Sequence, residues 1–371
     1  MPGFVPRVLR DSSVGLFRAE DRVFEAMVDG WRAQMLARGL VTATIETRTR
    51  LVIRFQQYAG DYPWTWRPAD LEDFLAERRS GERPVALTTL RAEANAIGMF
   101  CAYAASPVYG WPEFCEHLFG DVPAQICFAW NTPRHTTDDA VPAGRRAFTK
   151  VELQRLFDHL DDLIDREHAA GSKRWLPLLR DSIAFKVCYT FGLRRREVTM
   201  LELADFGPNP HVPAYAGYGA VMVRWAKGTA GSGPRRRTVL TVPEFGWVVD
   251  LLTFWTSAEG RGRFSYADRS SALWPSERGI RIGVGSLSDS LAGHRADVGL
   301  PEELGLHCLR HSYVTHLIEA GYDPAFVQTQ VGHAYASTTG LYTSVSADFK
   351  QKTVQQMIAR RISGKDGESD G

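Results

Sequence analysis

From Asp21 onward, apolar residues recur every three or four positions: Val23, Phe24, Met27, Val28, Trp31 and Met35. That spacing places them on one face of a helix. Ile45, Leu51, Val52 and Phe55 repeat it and predict a second helix over Thr42 to Tyr58. Pro68 opens a third, since a proline at the first helical position gives up no hydrogen bond. Thr88 to Ala104 reads as a fourth, closed by Pro107. Residues 21–106 are therefore expected to form a small all-helical domain behind an irregular lead-in over 1–20. Pro107, Pro112, Pro123, Pro133 and Pro142 then interrupt any long helix. Residues 107–146 are expected to be a Pro-rich linker region.

A new helix start follows at Thr149, with Glu152 three residues later, the pattern of a capping box. A second domain is expected over 147–345. Helices near 149–168 and 175–190 lead to Gly192. Ala220 to Trp225 and Arg237 to Val242 read as strands, joined by a Gly-rich loop. Helical segments are expected to fill most of 244–359. Residues 346–371 should hold a C-terminal helix carrying Phe349, Val354, Met357, Ile358 and Ile362 on one side, then a polar tail too poor in apolar residues to fold. The predicted fold class is mainly α with a small β-sheet.

Apolar residues make up 44% of the 371 and charged residues 23%, an ordinary globular balance. No apolar run approaches the roughly 20 residues of a membrane span, and the N-terminus lacks a signal-like apolar stretch, so a cytoplasmic location is expected. The five cysteines are odd in number, far apart and without a C-x-x-C pair. They read as reduced thiols rather than disulfide or zinc ligands. A net charge of +1 neither indicates nor excludes nucleic acid, because a basic footprint can be local. The 37 arginines against 7 lysines suit forked phosphate contacts, although a GC-rich genome gives the same bias.

Three polar clusters in the second half change the picture. Gly192-Leu-Arg-Arg-Arg-Glu-Val lies between two predicted helices. Lys227 sits at the hairpin, with Arg235, Arg236 and Arg237 on the return strand. Leu306-His-Cys-Leu-Arg-His-Ser-Tyr is followed by Val331-Gly-His and by Tyr342. Each alone reads more simply as a solvated charged face or a core residue. On a helix, His307 and Arg310 share a face, and arginines with a hairpin lysine supply the charge that binds a phosphate backbone.

In order and spacing these residues resemble the tyrosine recombinase family, the phage-integrase-like site-specific recombinases. Arg194 and Glu197 fill its G-L-R-x-x-E turn. Lys227 matches the hairpin lysine, and His307 to His311 match H-x-L-R-H. Gly332 and His333 match the G-H pair, and Tyr342 follows nine residues later. Val331 stands where the family often has Leu, and the long Pro-rich stretch leaves the domain boundary open. The resemblance implies a helical core-binding (SAM-like) domain followed by a mixed α/β catalytic domain. It implies that Tyr342 attacks a DNA phosphodiester and forms a phosphotyrosine. Arg194 and Arg310 would bind the non-bridging oxygens, Lys227 would protonate the leaving 5′ oxygen, and His307 would act as base. His333 would hydrogen-bond a phosphate oxygen and Glu197 would orient its neighbours. A tyrosine phenol, with a free pKa near 10, needs such help at neutral pH. No metal and no nucleotide cofactor are expected: no carboxylates cluster around these residues in sequence, and no G-x-x-x-x-G-K-[ST] motif is present.

The implied partners are double-stranded DNA with inverted-repeat sites and three further copies of the chain in a tetramer on that DNA. An accessory directionality factor is compatible with this, and the bound enzyme would sit in the nucleoid. The apolar face of the C-terminal helix would then dock on a neighbouring protomer or on its own domain. Two other readings share much of the pattern: a type IB topoisomerase, and a non-catalytic DNA-binding regulator on the same scaffold. The short lead-in leaves no room for an arm-binding domain. That favours a two-domain enzyme, and the length favours one serving a mobile element.

Overall fold

In a computed structural model, residues 5, 18–82, 84–134, 146–225, 236–265 and 267–332 are described. They fall into two compact units, one holding the described residues up to Arg134, the other those from Arg146.

The first unit contains α1 (Ala19–Ala37), α2 (Thr42–Ala59), α3 (Pro68–Ser80) and α4 (Leu87–Ala104). The buried residues of α1 are the six that the periodicity selects. Aromatic side chains fill the centre. Phe55 meets Trp66 at 4.8 Å and 69°, and Trp31 meets Phe100 at 5.2 Å and 69°, the edge-to-face arrangement that ring quadrupoles favour. Glu93 of α4 takes hydrogen bonds from Arg54 of α2 at 2.8 Å and from Arg78 of α3 at 2.7 Å, which ties three helices together by one carboxylate.

The expected linker is mostly not a linker. Trp111–Phe119 forms α5, and Trp111 and Cys115 are wholly buried in the first core, as is Ile126 further on. The Trp111 indole N–H donates to the Tyr103 hydroxyl at 2.9 Å. Pro112 does not break this helix because it lies in the first turn, where a missing N–H costs nothing. Residues 107–134 thus complete the first unit. The remainder of the predicted linker, 135–145, lies outside the described residues.

The second unit contains α6 (Lys150–Ala169), α7 (Trp175–Thr190), α8 (Arg195–Thr199), β1 (Phe206–Gly207), β2 (Ala220–Val223), β3 (Arg237–Leu240), α9 (Val248–Thr256), α10 (Val284–Asp297), α11 (Leu306–Glu319) and α12 (Pro324–Val331). The capping box forms as expected: Glu152 N–H donates to Thr149 Oγ1 at 3.2 Å, and Thr149 N–H donates to Glu152 Oε2 at 2.8 Å. Helix α7 is the central element, with Ile183, Phe185, Val187 and Cys188 buried and α6, α9 and α11 packed around it.

The sheet is antiparallel in the order β1-β2-β3, with Val221 opposite Val239 and Val223 opposite Arg237. Strands β2 and β3 are the two expected ones. β1 is too short for an alternating pattern to show. Of the stretch 244–359, expected to be mostly helical, the described residues of 257–283 instead run as turns and short 3-10 segments. Two tryptophans pin this region: Trp255 Nε1 donates to Leu273 O at 3.0 Å and Trp274 Nε1 to Val198 O at 2.7 Å. The predicted C-terminal helix lies outside the described residues. Among the described residues no helix is long and apolar enough to cross a membrane.

Replacing Trp111 by Ala should lower the unfolding free energy of the first unit by about 3–5 kcal/mol. Replacing Trp130, which is 67% exposed, should change it by under about 0.5 kcal/mol. Urea titration of both variants would show it, and a negligible effect of Trp111→Ala would restore the linker reading.

Candidate active site

The site begins where α7 stops. Gly192 has φ 57°, and a Cβ there would lie 2.6 Å from the Tyr313 ring. Glycine is required both for the left-handed backbone and for the close approach. The turn reverses the chain so that Arg194 becomes the N-cap of α8 and Glu197 points inward.

Glu197 is the hub. Its side chain is 1% exposed. Oε1 accepts from Arg194 Nη1 at 2.8 Å and from Arg237 Nη1 at 2.9 Å. Oε2 accepts from the Arg194 backbone N–H at 2.8 Å and from Arg237 Nη2 at 2.7 Å. Arg310 Nη1 stands 3.9 Å from Oε2. Burial by itself would raise the pKa of this carboxyl. The hydrogen bonds and charge of Arg237, followed by those of Arg194, outweigh burial and hold it down to about 2. Glu197 is therefore ionised throughout the physiological range.

Arg310, on the buried face of α11, is 1% exposed. Its Nη1 donates to Gly192 O and its Nη2 to Val331 O, each at 2.6 Å. Val331 is the last residue of α12, so the guanidinium also meets the negative end of that helix. Gly332 closes α12 with φ 66°, and a Cβ there would fall 2.8 Å from Arg237 Cδ. His333 is the next residue in the chain. Helix α12 starts on Asp323, whose side chain accepts from Ala325 N–H at 2.6 Å and Phe326 N–H at 3.2 Å.

The structure thus brings Arg194 and Arg310 to the same carboxylate, Glu197. His307 is exposed one turn before Arg310 on α11, and its ring meets that of His311 edge-on at 4.6 Å. Lys227, Arg235, His333 and Tyr342 lie outside the described residues. Three residues before Lys227, Arg224 is clamped by Asp205 at 2.5 Å and Glu202 at 2.7 Å, which fixes where β2 ends.

Arg237 departs from the expected exposed basic patch. Its side chain is 11% exposed and bound to Glu197, and its Nε donates to Gln330 O at 2.8 Å. The alternation of the strand carries this signal, since Arg237 shares a face with buried Val239. Arg236 is exposed. Gln330, absent from the sequence motif, joins α12 to the sheet by accepting Leu240 N–H at 2.7 Å. Nothing in the local sequence marks it.

Three guanidinium groups around one carboxylate leave an excess of positive charge. Arg194, with 30% of its side chain exposed, is the most open of them. Forked donors fixed this way fit the non-bridging oxygens of a phosphodiester.

The profile of the phage integrase family matches residues 147–348, more than half of the chain and the whole of this site. The chain belongs to the phage integrase family of tyrosine-type site-specific recombinases. The tyrosine recombinase XerC of Rhodospirillum centenum (strain ATCC 51521 / SW) is 31% identical over 286 residues, which cover 76% of each protein. That of Erythrobacter litoralis (strain HTCC2594) is 28% identical over 325 residues, covering 87% of this chain and 88% of the relative. Among solved structures, the XerH site-specific recombinase in a post-cleavage complex with its palindromic difH substrate has the same fold. Its TM-score is 0.62 at 18% identity, covering 93% of this chain and 91% of the other. A lambda integrase (75–356) dimer on a COC′ core site gives a TM-score of 0.55 at 14% identity, covering 86% and 95%.

A folded pKa of about 2 against an ordinary glutamate value of 4.5 stabilises the fold above pH 4.5. That contribution is lost as pH falls from there toward 2. Acid unfolding of Glu197→Gln should therefore show a shallower loss of stability across this window than the parent. At neutral pH the variant should be less stable by about 3–5 kcal/mol, because its arginines lose their counter-ion. Urea titrations at a series of pH values would measure both.

Proposed function

We propose that the protein cuts and rejoins DNA strands at inverted-repeat sites through a 3′-phosphotyrosine on Tyr342. The observation that supports this best is the buried, ionised Glu197 holding Arg194 and Arg237 beside Arg310, with His307 exposed on the same helix as Arg310.

In this reading Arg194 and Arg310 bind the scissile phosphate. Tyr342 Oη attacks phosphorus in line while His307 takes the phenolic proton. The bond from phosphorus to the 5′ oxygen breaks, and Lys227 gives that oxygen a proton. His333 hydrogen-bonds a phosphate oxygen. Rejoining is the reverse attack by a 5′ hydroxyl on the phosphotyrosine. One phosphodiester is exchanged for another, so no ATP is required. Each preorganised donor to the charge developing on phosphate is typically worth about 10²–10³ in rate.

The first unit offers a second DNA contact, an open groove of about 910 Å³ between α2 and α4 with a largely apolar floor that includes Leu51 and Met99, and with Arg48, Arg50, Arg54 and Asn95 among its polar residues. Arginines and short polar side chains suit the phosphate backbone. Exchange between two duplexes takes four active sites, and a lambda integrase, of the same fold, is known as a tetramer on a Holliday junction. A tetramer on DNA is therefore the working form we assign, with two protomers on each site.

The setting we assign is a mobile element, as for the Tn1549 transposon integrase, whose fold the chain shares. A second reading, a resolvase of the Xer type, is favoured by the names of the curated relatives. Attachment-site repeats beside the gene would support the first.

Tyr342→Phe removes one hydroxyl. It should leave DNA binding intact and abolish the covalent protein–DNA adduct that the parent forms on a nicked suicide substrate, read on a denaturing gel. An adduct that survives in the variant would assign the attack elsewhere, with Tyr335 the next tyrosine to replace.

A further inference from the structure

Apart from the arginine cluster, α6 and α10 bring two histidines and an aspartate together. His294 and Asp297, three residues apart, share one face of α10, and His159 reaches them from α6. One ligand atom from each of the three lies within 4.8 Å of the others. His159 Nε2 and His294 Nδ1 are each 3.7 Å from Asp297 Oδ2, and the two rings are 5.7 Å apart.

These distances are too long for hydrogen bonds. Both ring nitrogens are nonetheless buried and make none. Buried polar atoms without partners are uncommon and point to something that binds them. Two imidazole nitrogens and a carboxylate oxygen converge on one point. They could share a water, and they are also a usual donor set for zinc and similar ions. Around a tetrahedral ion, with bonds of about 2.0–2.1 Å, ligand atoms lie roughly 3.4 Å apart. The observed separations close to that with small side-chain rotations, and Asp297, 59% exposed, is free to make one.

Two surrounding features matter. Asp297 is the last residue of α10, and the negative end of the helix dipole favours a cation there. Besides His159 and Asp297, Asp181 and Arg174 act on His294 with opposite signs. The neighbouring Arg295 is turned to the carbonyls of Glu302 and Leu304 and does not occupy the gap.

We propose that His159, His294 and Asp297 form a binding site for one divalent transition-metal ion of the zinc class, with water completing the coordination. The ion would clip α6 to α10. It takes no part in the strand-transfer chemistry, and the inference stands whether or not that reading holds.

The test is a titration of the full chain with Co²⁺, followed by visible absorption, and with Zn²⁺, followed by the thermal midpoint. One equivalent of Co²⁺ should give the intense bands of a tetrahedral site, displaced by Zn²⁺, and Zn²⁺ should raise the midpoint. His159→Gln and His294→Gln should each weaken binding by about tenfold or more and remove the rise. Asp297→Asn changes an exposed side chain that the fold does not need, so its equal loss of affinity would support the site even if a histidine variant folds poorly. Saturable binding that survives all three variants would overturn the proposal. So would loss of binding in His307→Ala, which would place the ion on the His307–His311 pair, and so would the absence of saturable binding.

Discussion

One carboxylate without access to water sets the geometry on which the site depends. Glu197 offers two oxygens, and Arg237 takes both through a forked pair of hydrogen bonds while Arg194 takes one through its side chain and the other through its backbone. A guanidinium cannot lose its charge at any relevant pH, and this carboxyl, with its pKa held down to about 2, keeps its own across the physiological range. Within that range the pairing is constant. It ties the turn after α7 to strand β3, although the two residues stand 40 apart in the chain. Buried ion pairs are weak evidence for stability as such. Here the pair fixes the direction in which Arg194 presents its remaining donors.

Arg310 extends the same logic to two helix ends. Its guanidinium bonds the Gly192 carbonyl after α7 and the Val331 carbonyl at the end of α12. Those two carbonyls would otherwise be unsatisfied in a buried place, so one side chain answers two demands. Gly332, pressed against Arg237, then sets the path by which the chain leaves toward His333 and Tyr342. Glu197, which the motif names, is held by Arg237, which it does not name, and Arg237 is held in turn by the Gln330 carbonyl.

Much of the fold is legible in local pattern. Helices α1 and α2 of the first unit follow from apolar spacing, α3 from the proline that opens it, and the start of α6 from Thr149 and Glu152, because these features are satisfied within a few residues of chain. The Pro-rich stretch misleads since proline breaks a helix in its interior but opens one at its start, and only the burial of Trp111 and Cys115 tells the two apart. The region 257–283 misleads in the opposite way: its apolar residues serve anchors such as Trp274 rather than a helix face. Strand β1 exists only through its pairing with β2. Within the site, Arg194, Glu197 and Arg310 are legible because their spacing is fixed by a turn and a helix. The inward direction of Arg237 could be read from its sharing a face with Val239. The part played by Gln330 could not, for it depends on α12 meeting β3 across 90 residues of chain.

The central claim is that Glu197 and Arg237 act as one positioning unit for the arginines that meet the phosphate. It is tested most directly by a double-mutant cycle in single-turnover cleavage of a suicide DNA substrate, using Glu197→Gln, Arg237→Gln and the pair together. Each single change should slow cleavage by about 100-fold while leaving binding of the site within a few-fold. The double variant should be little slower than the worse single, since either change already dissolves the unit. Losses that multiply, with the double variant slower by about 10⁴, would show two independent residues and contradict the account.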